Sequence, residues 1–599
     1  MSNDIAVIGM ACRFPGADDV RAFWENLAAG RIAIGEVPAA RWRWQDFGVE
    51  IEDGGCRTRW GAFLDDVESF DREFFGLSAR EAAPMDPQQR MALELAWTCF
   101  EHAGVRPSRL AGQPVGVFVG GANLDYKELI ESEDAIDAHY ATGIGASLLS
   151  NRLSFLFDLT GPSVSVDTAC SSALSAIHAA VCALRNGECS MALAGGVSLL
   201  LTPRRYLCFS KARMLSPSGR VKSFDGAADG MVRGEGGGLI LLKPLADALA
   251  GGNNILGVIK GSAVNHGGRT RSLTYPSAEA QADVIRRACR NAGVAPRDVN
   301  YIEAHGTATP KGDPIEIAGL LDSLGDADVP CRIGTAKVNV GHLEAAAGIA
   351  GVIKVLLSLQ HEALPPLAGF ESLNPLVTLD GTRFEIAQHA QRWESPRVAG
   401  VSAFGFAGTN GHVIVAEAPA VQRAEAQYAD EHILCLSAKT PAALARKKAD
   451  MLRWLDGEGR GFELGAICAA LVHGRDHFEH RVAVVARDRD EMIERLSRDD
   501  AASHPLADSY RNGDDPATWG VYAPAVVASL PTYPFERTHC WIASRRAKSE
   551  AKPTGIRLRP LADAPEAAPE LSLDALLEQL YRGELDAEQV FVKVDRSVS

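Results

Sequence analysis

Apolar residues follow two alternating patterns along most of the chain. Unbroken apolar runs, typical of strands buried on both faces, occur at residues 5–9, 115–120, 190–201 and 238–242. Apolar positions with helical spacing lie between them, at residues 90–103, 171–186, 278–292 and 345–360. Because strands alternate with helices in this way, we expect residues 1–420 to form one layered α/β domain with mostly buried strands.

The pattern changes after Pro419. Apolar runs at residues 433–439 and 482–486 predict two strands, and a helical pattern at 441–455 lies between them. Beyond the second strand the chain lacks clear periodicity, so we expect a loop there. Together these observations predict a small flanking α/β subdomain over residues 421–542.

The remaining residues differ in composition from both regions. Residues 543–570 are rich in Ala, Pro, Arg and Glu without periodicity, which predicts a flexible linker. Residues 571–599 regain helical spacing, with an apolar stripe formed by Leu573, Leu576, Leu577 and Leu580. A helix this short is marginal alone in water. We interpret it as a docking segment for a partner polypeptide; the alternatives are a helix packed on its own protein and a fragment of a following domain.

Composition narrows the classes of partner and compartment. The 599 residues carry a formal charge of −15, which argues against nucleic acid or an anionic membrane as a partner. The sequence has no stretch of about 18 uncharged apolar residues and no basic, apolar N-terminus, so we expect neither a membrane span nor a signal peptide. Its twelve cysteines form no C-x-x-C pair, which favours reduced thiols in the cytoplasm over disulfides or a zinc site.

One cysteine stands at a predicted junction between a strand and a helix. Cys170 lies in VDTACSSAL (166–174). Unpaired N–H groups and the positive end of a helix dipole at that place lead us to expect the reactive thiolate. The backbone N–H of Cys170 is also a candidate donor to an oxyanion. The alternative is a buried, inert cysteine, which is our interpretation of the other eleven.

Two histidines lie in glycine-rich loops after predicted strands. His305 is in EAHGTATPKGDPIE and His342 is in KVNVGHLEAAAGIAG. A cysteine with one histidine could form the pair of a thiol protease. Two neutral imidazoles suit another task, because both can donate N–H bonds to a thioester oxygen that gains enolate charge when a malonyl group loses carbon dioxide. Lys337 and Glu344 flank His342 and are candidates to hold or polarise it.

A glycine-rich stretch, SAFGFAGTNGHVIV (402–415), permits a tight turn close to a reactive centre. Its Phe406 is a candidate for a second oxyanion N–H, with a ring that guards the nucleophile. The alternative is a plain turn between two strands.

Four motifs in this order, VDTACSS, EAHGTAT, KVNVGHLEAAAG and AFGFAGTN, resemble the β-ketoacyl synthases of modular polyketide synthases, and the similarity covers about residues 3–418. The resemblance implies a thiolase fold, in which two similar α/β halves stack in five layers (αβαβα) and form a homodimer. It also implies roles for residues at matching positions. These are Cys170 as nucleophile, His305 and His342 as the decarboxylating and enolate-stabilising pair, Lys337 as support for the histidines, Phe406 as oxyanion donor and gate, and Thr307 and Thr309 as contacts of the phosphopantetheine arm.

The sequence departs from the family pattern in several places. The family usually has glycine where Ala308 stands, a leucine-like residue where Lys311 stands, and Ser-Asn-Ile at residues 338–340. We expect the methyl of Ala308 to lie beside the arm-binding threonines and to affect the geometry of the arm. About 110 residues without a G-x-S-x-G motif separate Pro419 from YPFER. This region resembles the flanking domain of synthases served by a separate, trans-acting acyltransferase. A carrier-like motif at Ser323 lies inside the first domain, so we reject it.

The resemblance implies polyketide chain elongation by decarboxylative Claisen condensation between an acyl chain on Cys170 and a malonyl group on an acyl carrier protein. Such an enzyme binds no cofactor or metal, and its partners are upstream and downstream carrier proteins with 4'-phosphopantetheine arms. The alternative is a non-extending ketosynthase that only transfers acyl chains, with Ala308 and Val338 as its support. The intact Cys170, His305 and His342 argue against a scaffold with a decayed site.

Overall fold

The computed structural model describes residues 3–44, 58–130, 136–420, 428, 430–498, 504–527 and 529–542. All of them belong to the first of the two units into which the chain divides, Met1–Ser544. The second unit, Arg545–Ser599, lies outside the described residues. The predicted linker at 543–570 and docking segment at 571–599 therefore stay predictions.

The strands and helices are numbered in chain order. The strands are β1 Ile5–Arg13, β2 Gly35–Glu36, β3 Trp60–Gly61, β4 Ser69–Phe70, β5 Val115–Gly120, β6 Ser163–Val166, β7 Met191–Ser198, β8 Gly236–Pro244, β9 Gly257–His266, β10 Tyr301–Glu303, β11 Cys331–Gly334, β12 Ala363–Leu364, β13 Phe384–Ile386, β14 Gln391–Arg392, β15 Val398–Phe404, β16 Thr409–Ala416, β17 His432–Ala438, β18 His480–Ala486 and β19 Thr538–His539. The α-helices are α1 Val20–Ala28, α2 Ala79–Ala82, α3 Pro87–His102, α4 Asp125–Glu128, α5 Tyr140–Ile144, α6 Leu148–Leu156, α7 Ser172–Arg185, α8 Arg204–Lys211, α9 Leu245–Ala250, α10 Ala278–Ala292, α11 Gly312–Leu324, α12 Lys337–Val340, α13 Ala347–Gln360, α14 Pro441–Asp456, α15 Leu464–Gly474, α16 Arg489–Ser497 and α17 Pro505–Arg511.

One sheet of eleven strands contains the same five-strand arrangement twice. The first half has the order β1-β8-β7-β5-β6, and the second half has β9-β16-β15-β10-β11 with β13 added at its outer edge. The pairings also match, because the first three strands of each half pair antiparallel and the last three pair parallel. An antiparallel pairing of β1 with β9 joins the halves. The chain therefore has the two similar halves that the resemblance implied.

Two central helices, α7 and α13, lie between the halves and contact strands of both. Every residue of α13 except Gln360 is buried, which suits a helix covered by sheet on two sides. The helix α3 covers the outer face of the first half, and α10, with α11 beside it, covers that of the second. This order of helix, sheet, helix, sheet and helix confirms the predicted five-layered thiolase fold.

Most predicted elements occur within a few residues of their expected positions, and the strand at 115–120 and the helix at 278–292 match to the residue. The loop predicted after the second strand of the flanking region is wrong, because α16 and α17 lie there. In α16 only Met492 and Leu496 are buried. Two apolar positions on a short, highly charged helix produce no visible period.

The flanking region has a core of its own, formed by the antiparallel pair β17 and β18 with α14 to α17. The chain then returns to the first half of the large domain, where β19 pairs with β4 and Arg537 forms a 2.9 Å ion pair with Glu94. The boundaries near residues 420 and 542 stay predictions. Among the helices that the structure describes, none has the length and apolar character to cross a membrane.

Candidate active site

The nucleophile candidate lies in a tight turn at the start of a central helix. After β6, residues Ala169–Ser171 form one turn of 3-10 helix, and α7 begins at the next residue. Ala169 has a φ of 54°, in the left-handed region. The hydroxyl of Ser172 holds the turn, because it accepts from the N–H of Thr168 at 2.9 Å and donates to the carbonyl of Ala169 at 2.6 Å. Cys170 is thereby fixed at the mouth of α7.

The expected thiolate is not the resting state of this cysteine. Burial raises the pKa of the Cys170 thiol to about 11, and the carboxylate of Glu344 adds to the rise. A hydrogen bond from the N–H of Phe406 and the charge of Lys337 both lower this pKa, but by less than burial and Glu344 raise it. Our prediction from the helix terminus was wrong here because desolvation of the charged form exceeds the stabilisation by the helix.

The turn that contains Phe406 brings a second N–H to the same sulfur. The N–H groups of Phe406 and of Cys170 itself both hydrogen-bond to the thiol. Gly405 makes this approach possible, because a Cβ there would lie 2.6 Å from the carbonyl oxygen of Thr168. The Phe406 side chain is 44% exposed, and its ring lies 6.3 Å from that of Phe209. The Phe406 N–H therefore lies at the sulfur and its ring lines the cavity, while its roles as oxyanion donor and gate stay predictions.

The two histidines lie side by side. The ring centroids of His305 and His342 are 5.4 Å apart, and the planes are nearly perpendicular at 86°. Burial, and next the positive charge of Lys337, lower the pKa of His342 to about 3 and that of His305 well below its ordinary value. Both imidazoles are therefore neutral at pH 7, as the sequence predicted, and each carries one N–H.

Hydrogen bonds orient the ring of His342 and hold the backbone of the loop that carries His305. The N–H of Glu344 donates to Nδ1 of His342 at 3.0 Å, so the proton of the neutral ring lies on Nε2. The carboxylate of Glu316 accepts from the backbone N–H groups of His305 and Gly306, both at 2.7 Å. Glu316 thus fixes the loop that carries His305, and the N–H of Glu344 sets the tautomer of His342.

Lys337 lies behind the histidines as a buried cation. Burial lowers its pKa, and the carboxylates of Glu303 and Glu316 oppose that effect. Glu303 is itself held by Lys354 at 2.8 Å and by the hydroxyl of Tyr301 at 2.9 Å. The structure therefore places Lys337 where its charge adds to burial in keeping both imidazoles unprotonated.

The predicted arm-binding threonines line a cavity of about 790 Å³ that also contains Cys170, His305 and His342. The hydroxyls of Thr307 and Thr309 are 3.2 Å apart. Lys311, one of the departures, lines the cavity too.

The methyl of Ala308 is placed differently from our expectation. Ala308 is fully buried in the second half's core and is not among the residues that line the cavity. Its φ of 59° is in the left-handed region, where glycine is favoured. The departure therefore affects the backbone of the loop, and its methyl does not line the cavity.

One buried ion pair at this site was not predicted. Arg233 forms a 2.5 Å bond with Glu344, and its guanidinium lies 4.6 Å from the ring centre of Tyr206. The other carboxylate oxygen of Glu344 accepts from Asn123 at 3.1 Å. Arg233 lies in the stretch ADGMVRGEG (228–236), and nothing in that stretch reveals a partner 111 residues away along the chain.

The site thus combines a thiol with two N–H donors at the sulfur and two neutral imidazoles that share its cavity. Such a set can stabilise two successive negative oxygens, one on an acyl group bound to Cys170 and one on a second thioester near the histidines.

The comparisons with known proteins agree with this chemistry. The family models for the N-terminal and C-terminal domains of β-ketoacyl synthase match residues 2–248 and 256–371. The chain belongs to the β-ketoacyl synthase family. A third family model, CurL-like PKS C-terminal, matches residues 432–496 of this ketosynthase, inside the flanking region.

Its relatives are polyketide synthases. Polyketide synthase ThaG of Burkholderia thailandensis is 52% identical and polyketide synthase PksN of Bacillus subtilis is 39% identical, each over 92% of this chain. The chain spans only 11% of the length of each relative.

Solved structures of single ketosynthases match over their whole length. The oxazolomycin ketosynthase domain OzmH KS7 of Streptomyces albus is 38% identical with a TM-score of 0.84, and it covers 91% of this chain and 100% of its own. The ketosynthase from module 6 of the bacillaene synthase of Bacillus subtilis is 33% identical with a TM-score of 0.83, over 90% of this chain and 100% of its own. The chain is therefore a thiolase-fold ketosynthase of the polyketide synthase type, in a family of acyltransferases that form carbon–carbon bonds.

Proposed function

We propose that this ketosynthase extends a polyketide chain by decarboxylative Claisen condensation between an acyl group on Cys170 and a malonyl group on an acyl carrier protein. The observation that carries the proposal is the pair of neutral imidazoles, 5.4 Å apart, in one cavity with the thiol. Neutral rings donate N–H bonds to an oxygen that gains charge.

The first step loads the enzyme. The sulfur of Cys170 attacks the thioester carbonyl of an upstream carrier protein, the bond from the acyl carbon to the carrier sulfur breaks, and the thiol proton passes to the departing carrier thiol. The oxyanion of this step is stabilised by the N–H groups of Cys170 and Phe406. A pKa of about 11 makes the free thiolate scarce, so proton removal must accompany attack.

The second step forms the new bond. The carbon–carboxylate bond of the malonyl group breaks, carbon dioxide leaves, and the electron pair becomes an enolate whose oxygen accepts N–H bonds from His305 and from Nε2 of His342. The enolate carbon attacks the acyl carbonyl on Cys170. The acyl–sulfur bond then breaks, and the Cys170 thiolate takes up a proton. The β-ketoacyl product stays on the downstream carrier.

Intact-mass measurement tests both steps. We expect an acyl adduct on the wild type and none on Cys170→Ala after incubation with acyl-carrier thioesters. Addition of malonyl-carrier should then release carbon dioxide and leave a β-ketoacyl carrier. An adduct on Cys170→Ala would remove Cys170 from its role. Loading without carbon dioxide release would favour the alternative, a non-extending ketosynthase that only transfers acyl chains, for which the strained Ala308 is the structural argument.

We further propose that the acyl groups arrive on 4'-phosphopantetheine arms held at Thr307 and Thr309. The enzyme needs no bound cofactor or metal in this proposal. A separate trans-acting acyltransferase in the same cytoplasm supplies the malonyl groups. The sequence supports the last point, since the roughly 110 residues between Pro419 and YPFER contain no G-x-S-x-G motif. Incubation with malonyl-coenzyme A alone should give no malonyl adduct on any serine of this chain. Such an adduct would contradict the need for a separate acyltransferase.

We propose a homodimer that pairs through β6. This strand ends the eleven-stranded sheet, and the Val164 side chain on it is 42% exposed. Phe155 on the adjacent helix α6 is 81% exposed. An uncovered edge with apolar side chains is a surface for pairing. Light scattering should give twice the chain mass for the wild type and the chain mass for Val164→Asp; a monomeric wild type would exclude this arrangement.

For residues 571–599 we keep the sequence-based proposal of a docking segment for the next polypeptide. Its apolar leucine stripe and its acidic residues favour a helical partner with a basic surface. Deletion of this segment should leave loading and condensation with free carriers unchanged and weaken transfer to the downstream protein. Loss of folding or of loading after the deletion would show a structural role instead.

A further inference from the structure

Arg205 is one of three arginines that line the cavity of the reactive thiol. Arg205, on α8, lines the same cavity as Cys170, and its side chain is 37% exposed. The neighbouring wall is apolar and includes Phe209, Met214 and Met231. A guanidinium in such a wall is costly unless its N–H groups have acceptors.

The contacts of Arg205 use only part of its donor capacity. Its Nη2 donates to the carbonyl of Ala122 at 2.9 Å, and its Nη1 lies 3.9 Å from Glu344, beyond hydrogen-bond distance. The carboxylate of Glu344 is already engaged by Arg233 at 2.5 Å and by Asn123 at 3.1 Å. A guanidinium has five N–H donors. Toward the described residues, the remaining donors of Arg205 are therefore available to a molecule in the cavity.

The surrounding charges indicate what kind of acceptor fits. Two guanidiniums, Arg205 and Arg233, interact with two carboxylates, Asp125 and Glu344. The charges of this cluster balance. An anionic ligand would add an unbalanced charge close to Glu344, whereas a neutral oxygen would accept an N–H bond and add none.

We propose that Arg205 is a specificity-determining residue of the loading step and donates N–H bonds to a hydroxyl or keto oxygen of the incoming acyl chain. The inference rests on the proposed function, because it requires an acyl group on Cys170. The substrate class is an acyl thioester with a neutral oxygen substituent near its thioester end, since Glu344 interacts with both Cys170 and Arg205.

The enzyme should discriminate between acyl chains mainly by disfavouring the alkyl chain that has no oxygen substituent. An alkyl chain that fills the cavity would displace water from Arg205 and leave its N–H groups without acceptors. A site built to bond an oxygen disfavours the analogue that lacks it much more strongly than an apolar site disfavours an added hydroxyl. We therefore expect a preference of about tenfold or more for the oxygenated chain.

The test compares butyryl and β-hydroxybutyryl thioesters of N-acetylcysteamine, with both enantiomers of the latter. Loading transfers the acyl group to the sulfur of Cys170 and releases N-acetylcysteamine as its thiol, and intact mass measures the rate. We expect the wild type to load one β-hydroxybutyryl enantiomer about tenfold faster than butyryl, and Arg205→Met to bring this ratio close to one. Arg205→Lys should be intermediate. The matched control is Arg204→Met on the same helix, whose side chain is 70% exposed and pairs with Glu128 at 3.5 Å; it should keep the wild-type ratio.

The outcomes separate this inference from the proposed function. If neither thioester acylates Cys170 of the wild type, the proposed function fails. If both load but the ratio is near one, or if Arg205→Met leaves the ratio unchanged, the specificity role fails while the function stands. An equal loss of both rates in Arg205→Met would assign Arg205 to holding Glu344, which also overturns the proposal.

Discussion

The buried ion pair between Arg233 and Glu344 should be the most sensitive part of the site's frame. Arg233 is fully buried, and Arg233→Met keeps an apolar stem of similar length while it removes the charge. Among the described residues, Glu344 then remains buried with Asn123 alone in hydrogen-bonding distance and Arg205 at 3.9 Å. Removing one partner of a buried pair costs about 3–5 kcal/mol, because the other charge is left uncompensated.

The expected change in melting temperature follows from the size of the folded unit. For the 544 residues of the first unit, an unfolding entropy of about 2.1 cal/mol/K per residue gives about 1.1 kcal/mol/K. A loss of about 3–5 kcal/mol should therefore lower the Tm by about 3–4 °C. Calorimetry at pH 7 measures this directly. Arg204→Met, which removes an exposed pair, is the control and should change the unfolding free energy by less than about 1 kcal/mol.

Two further measurements make the reasoning refutable. Because Arg233→Met/Glu344→Gln leaves no uncompensated charge, we expect it to recover at least half of the lost Tm. Burial acts to raise the pKa of Glu344, but Arg233 outweighs it and holds that pKa below its ordinary value of 4.5. The stability from the pair is thus present above pH 4.5 and is lost as the pH falls through the lowered pKa, so the two melting curves should converge in acid. A Tm change below about 1 °C, or a double variant no better than the single one, would refute the account.

Three other outcomes are expected. His305→Ala should load acyl groups on Cys170 at the wild-type rate and condense them about a hundredfold more slowly, because this imidazole acts on charge that arises after loading; normal condensation would contradict its role. The rate at which iodoacetamide alkylates Cys170 should rise about tenfold per pH unit toward a pKa of about 11. Glu344→Gln should shift this rate profile to lower pH. A plateau of the wild-type rate below pH 8 would show that the pKa of the thiol is lowered instead. Ala308→Gly should relieve about 1–2 kcal/mol of backbone strain. It also loses a buried methyl, about 0.8 kcal/mol, and raises the conformational entropy of the unfolded chain, about 0.5–1 kcal/mol, and both of these effects destabilise the fold. The unfolding free energy measured by denaturant should therefore change by less than about 1 kcal/mol.

The sequence predicted those parts of the site that lie on consecutive residues. Cys170 and His342 follow β6 and β11, which are the third strand of each half in chain order, and His305 follows β10. Strand ends in an α/β fold bring such loops together, so their motifs were readable one at a time. The repeated strand order of the two halves was not readable from the residues, because the halves show no visible sequence repeat.

The parts that sequence reasoning missed depend on contacts between distant residues. Arg233 and Glu344 are 111 residues apart, and only the folded core shows that one neutralises the other. The raised pKa of Cys170 has the same origin, since burial by the surrounding chain outweighs the local effect of a helix start. For α16 a local signal did exist, because the side chain of Asp488 accepts the N–H of Glu491 at 2.8 Å as a helix cap; its two buried side chains were too few to support it.

The central claim is that acyl transfer to Cys170 and decarboxylation by the histidines are separate steps in one cavity. The most direct measurement loads the enzyme with an unlabelled acyl group, adds malonyl-carrier labelled with ¹⁴C at its free carboxylate, and follows labelled carbon dioxide together with the mass of the carrier. The account predicts that carbon dioxide and β-ketoacyl carrier appear in equal amounts with the acylated wild type, and that acylated His305→Ala gives about a hundredfold less of both in the same time. Equal yields from both proteins, or acyl transfer by the wild type without any carbon dioxide, would contradict it.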